Sequence, residues 1–326
     1  MTAAIRRPIL TTALAVMMAI WPFAPVIATA QPAVTASGDD LEGTLVEELV
    51  ISSNLGGPAF WKVSDGDTTI YVLGVPGSLP KGTKWDERRL VMRLDGARAL
   101  ILPPKIKARP VVMTTYLLTN QKKFQGGPPV EGALAARLER NRAALKVKPE
   151  TLARWKPGVQ GLILAGEMQK PLKFDEDQPE GRILALARRA KVKQVRAGAA
   201  IDPMPALKSL VDIDAAGQRV CLEDALDQVE AGRGPLKEAS AGWARGDVKA
   251  ALRAQRGFDR CLARLPMLSA LSRRAMDDSA RTIGRQMGVP GKAVAVIDLR
   301  QLLARGGVLD QLRARGFRVE TPASAG

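Results

Sequence analysis

The stretch from Phe60 to Leu73 constrains the fold of this chain more than any other. Phe60-Trp61-Lys62-Val63 has the aromatic and β-branched content of a strand. Asp65-Gly66 then reads as a two-residue turn with type I′ chemistry, and Thr68-Thr69-Ile70-Tyr71-Val72-Leu73 reads as the return strand. An antiparallel hairpin is therefore predicted. It runs into Gly74-Val75-Pro76-Gly77-Ser78-Leu79-Pro80, a loop dense in strand and helix breakers.

The next strands carry a different pattern. Ala99-Leu100-Ile101-Leu102 is continuously apolar, as a strand buried on both faces must be, and Pro103-Pro104 ends it. Ala293-Val294-Ala295-Val296-Ile297 repeats that pattern near the other end. Lys193-Gln194-Val195-Arg196 and Phe317-Arg318-Val319 are shorter strand candidates. Helical periodicity is read over 85–95, 114–120, 132–145, 151–155, 161–168 and 180–190, then over most of 206–287. Gly232-Arg233-Gly234-Pro235 breaks the long helical stretch, and Trp243-Ala244-Arg245-Gly246-Asp247-Val248 marks a helix-to-helix turn. Phe174-Asp175-Glu176-Asp177 reads as an acidic loop. The expected fold class is α/β of an α+β-like kind. Its central β-sheet comes from the N- and C-terminal segments and is flanked by a large helical middle region.

The N-terminus reads as a secretory signal. Arg6-Arg7 is the basic start, residues 8–20 are almost wholly apolar, and Ala28-Thr29-Ala30 is a small-x-small site with cleavage expected before Gln31. The expected organisation is a signal peptide over 1–30, a flexible tail over 31–55 and a single domain over 56–322. The expected location is periplasmic or secreted, with no transmembrane helix in the mature chain. Cys221 and Cys261 fit neither a C-x-x-C motif nor a zinc knuckle, and an oxidising compartment favours a disulfide between two helices.

Composition narrows the chemistry. The 326 residues include no His. Ser-His-Asp and Cys-His catalysis, and zinc held by His, are thereby excluded. Any remaining chemistry rests on Asp, Glu, Lys, Tyr, Ser or Cys. No dinucleotide or P-loop glycine motif is present. Ser78-Leu79-Pro80-Lys81 matches S-x-x-K, but Pro80 sits inside the turn that would bring amine to hydroxyl. The net charge of +16 is spread along the chain and favours acidic partners. Aromatics make up only 4%, which leaves few stacking platforms, so no nucleic acid is expected.

The order of these segments resembles the TraB/GumN family, the group that includes the Tiki metalloproteases. The resemblance is carried by Trp61-Lys62-Val63-Ser64-Asp65-Gly66-Asp67-Thr68-Thr69-Ile70-Tyr71-Val72-Leu73-Gly74 and by Trp243-Ala244-Arg245-Gly246-Asp247-Val248. The strand 293–297 and the run from Gly306 to Val319 complete it. Active members carry Gly-x-x-His after the first hairpin. Here Gly74 matches the Gly, and Gly77 stands at the His. A Glu normally ends the strand matched by Ala99–Leu102, where this chain has Pro103. A Gly-His pair normally follows the late strand, where this chain has Asp298-Leu299-Arg300, with Arg300 near the His position. The resemblance implies the family's α/β fold together with loss of its metal chemistry: no catalytic residue, no metal and no cofactor are expected.

Two readings follow. One is a pseudoenzyme acting by binding in the cell envelope. Its ligand-binding candidates are Gly74, Gly77, Ser78, Asp298 and Arg300, and its partner is an anionic ligand or envelope component. The other is an active hydrolase, peptidase- or esterase-like, using surviving carboxylates such as Asp65, Asp67 or Asp298.

Overall fold

The computed structural model describes residues 45, 46, 49, 56–77, 79–107, 109–175, 179–209, 212–253 and 259–322. The signal segment with Ala28 and Ala30, residue Ser78, and Glu176 and Asp177 of the acidic run lie outside the described residues.

Six strands form one mixed sheet: β1 Phe60–Ser64, β2 Thr68–Val75, β4 Ala99–Leu102, β6 Lys193–Arg196, β7 Gly291–Asp298 and β8 Arg318–Glu320, in the order β6-β4-β7-β2-β1-β8. The pairs β6/β4, β4/β7 and β7/β2 are parallel, whereas β1 runs antiparallel to both β2 and β8. The two apolar runs occupy the sheet centre as expected. Every residue of β4 is buried, and Ala293, Val294, Ala295, Val296 and Ile297 of β7 are buried too. Helices therefore cover both faces, as a parallel sheet requires. The polar strands β6 and β8 take the two edges.

The hairpin pairs Phe60 with Leu73 and Ser64 with Thr69, a register two residues away from the one that a two-residue Asp65-Gly66 turn would set. Its turn differs. Gly66 is not at positive φ, so the type I′ expectation is corrected. Gly66 and Asp67 instead form the bend. Asp65 N–H donates to Thr68 O, and the Asp65 carboxylate accepts from the N–H groups of Asp67 and Thr68. A side chain that bonds two residues ahead substitutes for the left-handed backbone.

Three further corrections concern segments read as loops. Strand β2 continues through Gly74 and Val75, because β7 supplies a parallel partner as far as Asp298. Strands β3 Leu79–Pro80 and β5 Phe174–Asp175 pair with each other, so neither segment is a free loop. Within the stretch expected to be a flexible tail, Leu45 bridges to Ala304 and Val46 N–H donates to Leu303 O. Leu49 is fully buried, and its carbonyl accepts from Trp61 Nε1 at 3.1 Å. A buried indole N–H needs such an acceptor.

The helical middle has a second, smaller core. Leu134, Leu164, Met168, Leu222, Leu226 and Val229 close it, from the helices Gly132–Ala144, Pro157–Gln169 and Ala215–Ala231. Cys221 and Cys261 form the expected disulfide. Among the described residues, no helix is long and apolar enough to cross a membrane.

Candidate functional site at the carboxyl edge of the sheet

Parallel strands end together, and their carboxyl ends are where α/β sheets place ligands. Here β2 ends at Val75, β4 at Leu102, β6 at Arg196 and β7 at Asp298, with Val75 directly opposite Asp298. The chain leaves β2 for β4, continues outward to β6, then returns to place β7 between β4 and β2. Gly77, Pro103 and Arg300 each follow one of these three central strands by one or two residues. The topology thus brings to one sheet edge three positions far apart in the sequence.

Gly74 lies just inside that edge and is buried. A Cβ there would stand 2.5 Å from Leu299 Cδ1 and 3.0 Å from Trp61 Cζ3, so any side chain would push the Leu299 tip aside. Its carbonyl accepts from Trp243 Nε1 at 2.8 Å. Trp243 in turn meets Trp85 edge-on, with ring centroids 5.4 Å apart. Sequence reading placed Trp243 only at a helix-to-helix turn and assigned it no role at the edge. The turn itself is as expected. Gly246, at φ 82°, ends the helix Gly234–Arg245, and the Asp247 carboxylate accepts from Ala250 N–H to start the next helix.

Gly77 is exposed, with open space where a side chain would be. Pro103 is half-buried, and its carbonyl accepts from Arg196 Nη1. Asp298 has a structural task. Its carboxylate caps the helix Leu299–Leu303, accepting from Arg300 N–H at 2.9 Å and Gln301 N–H at 3.2 Å. Burial pushes the Asp298 carboxyl above the usual carboxylate value, against the opposing pull of those two N–H groups and of Arg300.

Arg300 turns inward from the edge. Its side chain is only 12% exposed and lies 3.8 Å from the Asp259 carboxylate. Nη2 donates to Leu252 O at 3.2 Å, and Nε finds no partner among the described residues. The guanidinium is thus engaged within the chain.

The donor set at this edge does not fit the metal that the family motif would hold. Gly77 and Pro103 have no donor side chain, Arg300 is a permanent cation, and Asp298 Oδ1 is directed at two backbone N–H groups. Among the described residues, no three His, Cys, Asp or Glu side chains come together in a way that could hold a metal ion.

The carboxylates Asp65 and Asp67 lie elsewhere. Asp65 precedes the hairpin bend and Asp67 lies in it, just before Thr68, which is opposite Gly291, whereas Asp298 is opposite Val75. Seven residues of strand at about 3.3 Å each separate the two ends, roughly 23 Å. Paired carboxylates working on one bond stand at most about 10 Å apart. The structure does not bring these three together.

The TraB/PrgY/gumN family matches residues 59–321. No curated protein and no solved structure matches the chain.

Proposed function

The chain belongs to the TraB/PrgY/gumN family, and on that premise we propose that it is an exported, non-catalytic member that acts by binding in the cell envelope. One observation carries this reading. The three strand ends that would assemble the family's metal chemistry present Gly77, Pro103 and Arg300, and none of these can ligate a metal or take up a proton at neutral pH. The fold around them is intact: Gly74 still packs under Leu299, and Trp243 still ties down its carbonyl.

Export is supported by the sequence of residues 1–30 and by the disulfide, which persists in oxidising compartments. The proposed layout is a removed segment ending at Ala30 and one domain over 56–322, to which Leu45, Val46 and Leu49 of the preceding stretch also attach. The hydrolase reading loses its geometric support, because Asp65 and Asp67 sit at the opposite sheet end from Asp298.

Two measurements test the proposal. The purified chain, offered a panel of peptides and esters, should show no turnover above buffer; turnover abolished by Asp298→Asn would establish the hydrolase instead. N-terminal sequencing of the protein recovered outside the cytoplasm should begin at Gln31. An intact Met1 in a cytoplasmic fraction would contradict export.

A further inference from the structure

The helix Pro110–Thr119 follows Pro103 and the carboxyl edge, and its sequence is PVVMTTYLLT. None of its residues is buried. Val111 is 78% exposed and Leu118 69%, and the preceding Ile106 is 63% exposed. Val112 and Leu117 are exposed as well. Val111 and Leu118 are seven residues apart, so they lie on one face, two turns apart. A ten-residue helix is marginal in water without tertiary packing. This one has an apolar surface and no core to place it on.

The charges that flank it along the chain are of one sign. From Gly96 to Val130 the chain has no Asp or Glu. Lys105, Lys107 and Arg109 precede the helix, and Lys122 and Lys123 follow it. All five are exposed, and none forms an ion pair with a described residue. An apolar segment between two cationic clusters complements one surface in particular: acyl chains beneath anionic headgroups. At about 1.5 Å per residue the helix is roughly 15 Å long, half the hydrocarbon thickness, so it lies on a bilayer and does not span it.

We propose that the helix Pro110–Thr119 is an interfacial membrane-docking element. It inserts Val111, Leu118 and Ile106 among the acyl chains of an anionic leaflet, while Lys105, Lys107, Arg109, Lys122 and Lys123 hold the headgroup phosphates. This names the envelope component for the binding reading above and rests on it for the presence of a membrane. The two fail separately, because turnover and export are measured without vesicles.

The test is flotation of the chain starting at Gln31, which keeps every described residue, with vesicles of phosphatidylcholine alone or mixed with phosphatidylglycerol. Binding to the mixed vesicles is expected, with little to phosphatidylcholine alone. The chain from Gln31, which lacks Arg6 and Arg7 and so carries +14, could adhere to anionic lipid through charge alone, so the deciding variant keeps the charge. Val111→Ser with Leu118→Ser should weaken binding to mixed vesicles by at least about tenfold, with an unchanged melting curve. Lys122→Glu with Lys123→Glu, which leaves the apolar face in place, should also weaken it and reduce its salt dependence. Undiminished binding by the serine variant, or no binding by wild type, would overturn the proposal. If wild type ignores vesicles but its mass in light scattering doubles with concentration, and the serine variant stays monomeric, the occupant is a second copy of this chain. Vesicle binding that requires removal of residues 31–44 would assign the helix to the chain's own N-terminal stretch.

Discussion

The sheet and the helical middle bury apolar side chains by different means. In the sheet, β4 and β7 are apolar at nearly every position and buried on both faces, and the backbone ladder fixes their register. In the helical middle the core is smaller, and one helix gathers the supporting interactions. Along Ala215–Ala231, Gln218 accepts from Gly158 N–H and Cys221 carries the disulfide. Asp224 accepts from Arg260 and from Cys261 N–H, while Asp227 and Glu230 pair with Arg137. These side chains recur every three residues, a spacing that drifts by about 60° per step around the helix, so the ties reach several neighbouring helices. Continuous apolar strands make a core that needs no cross-link. A small core between polar helices relies on covalent and ionic ties.

The largest expected effect separates the two regions directly. Cys261→Ala opens a loop closed at a sequence separation of 40, and on the chain-entropy model this costs about 4 kcal/mol. Denaturant unfolding should show Trp155, in the helical middle, losing its native signal before Trp61, in the sheet. Coincident transitions would show one cooperative unit and break the comparison.

Glycine substitutions give the next effect. At Gly161 a Cβ would stand 2.6 Å from Ala225 Cβ and 3.2 Å from Leu222 Cα, and at Gly74 2.5 Å from Leu299 Cδ1. Gly161→Ala should cost about 2–3 kcal/mol, since backbone must move. Gly74→Ala should cost about 1–2 kcal/mol, since a leucine tip can give. Equal midpoint shifts for the two variants would mean that both regions yield alike.

The smallest effect is that of pH. The hydrogen bond from Arg137, with a further one from Asn141, holds the Glu230 carboxyl below its usual value of 4.5. A depressed folded-state value contributes stability above about pH 4.5 that is lost as pH falls through it. Asp298 is raised, so its contribution runs the other way: full below its unfolded value and lost as pH rises through the folded one. Mild acid should therefore loosen the helical middle relative to the sheet edge. Glu230 is partly solvated, so Glu230→Gln should change stability at neutral pH by no more than about 1 kcal/mol and flatten its acid dependence. An unchanged acid dependence would remove Glu230 from the ties of the helical middle.

The same contrast explains what could be read from the sequence. The hairpin, the two buried parallel strands and the disulfide announce themselves through strand composition, continuous apolarity and cysteine number, whereas the hairpin register follows a turn at Gly66-Asp67, one residue later than the Asp65-Gly66 pair suggests. The helix Leu299–Leu303 did not, because five residues carry no period and the signal was the Asp298 cap alone. The β3/β5 pair was hidden because two-residue strands have no pattern of their own. Leu49 follows Glu47 and Glu48 in a stretch without a clear period, and its contact with the Trp61 indole is a matter of tertiary packing. At the candidate site, the positions Gly77, Pro103 and Arg300 came from the family pattern. What the sequence could not show was that Arg300 points toward Leu252 and Asp259, and that Trp243 closes over Gly74. Both depend on which helices lie across the edge, a matter of tertiary packing.

Under the proposed function, the carboxyl edge keeps the family's scaffold without binding a metal. The most direct measurement is the metal content of the purified chain after dialysis against zinc, manganese and cobalt in turn, with elemental analysis per mole of protein. The expected result is no stoichiometric metal and no change in the melting temperature on addition of any of the three. One equivalent of metal that raises the melting temperature and is lost in Asp298→Asn would contradict it.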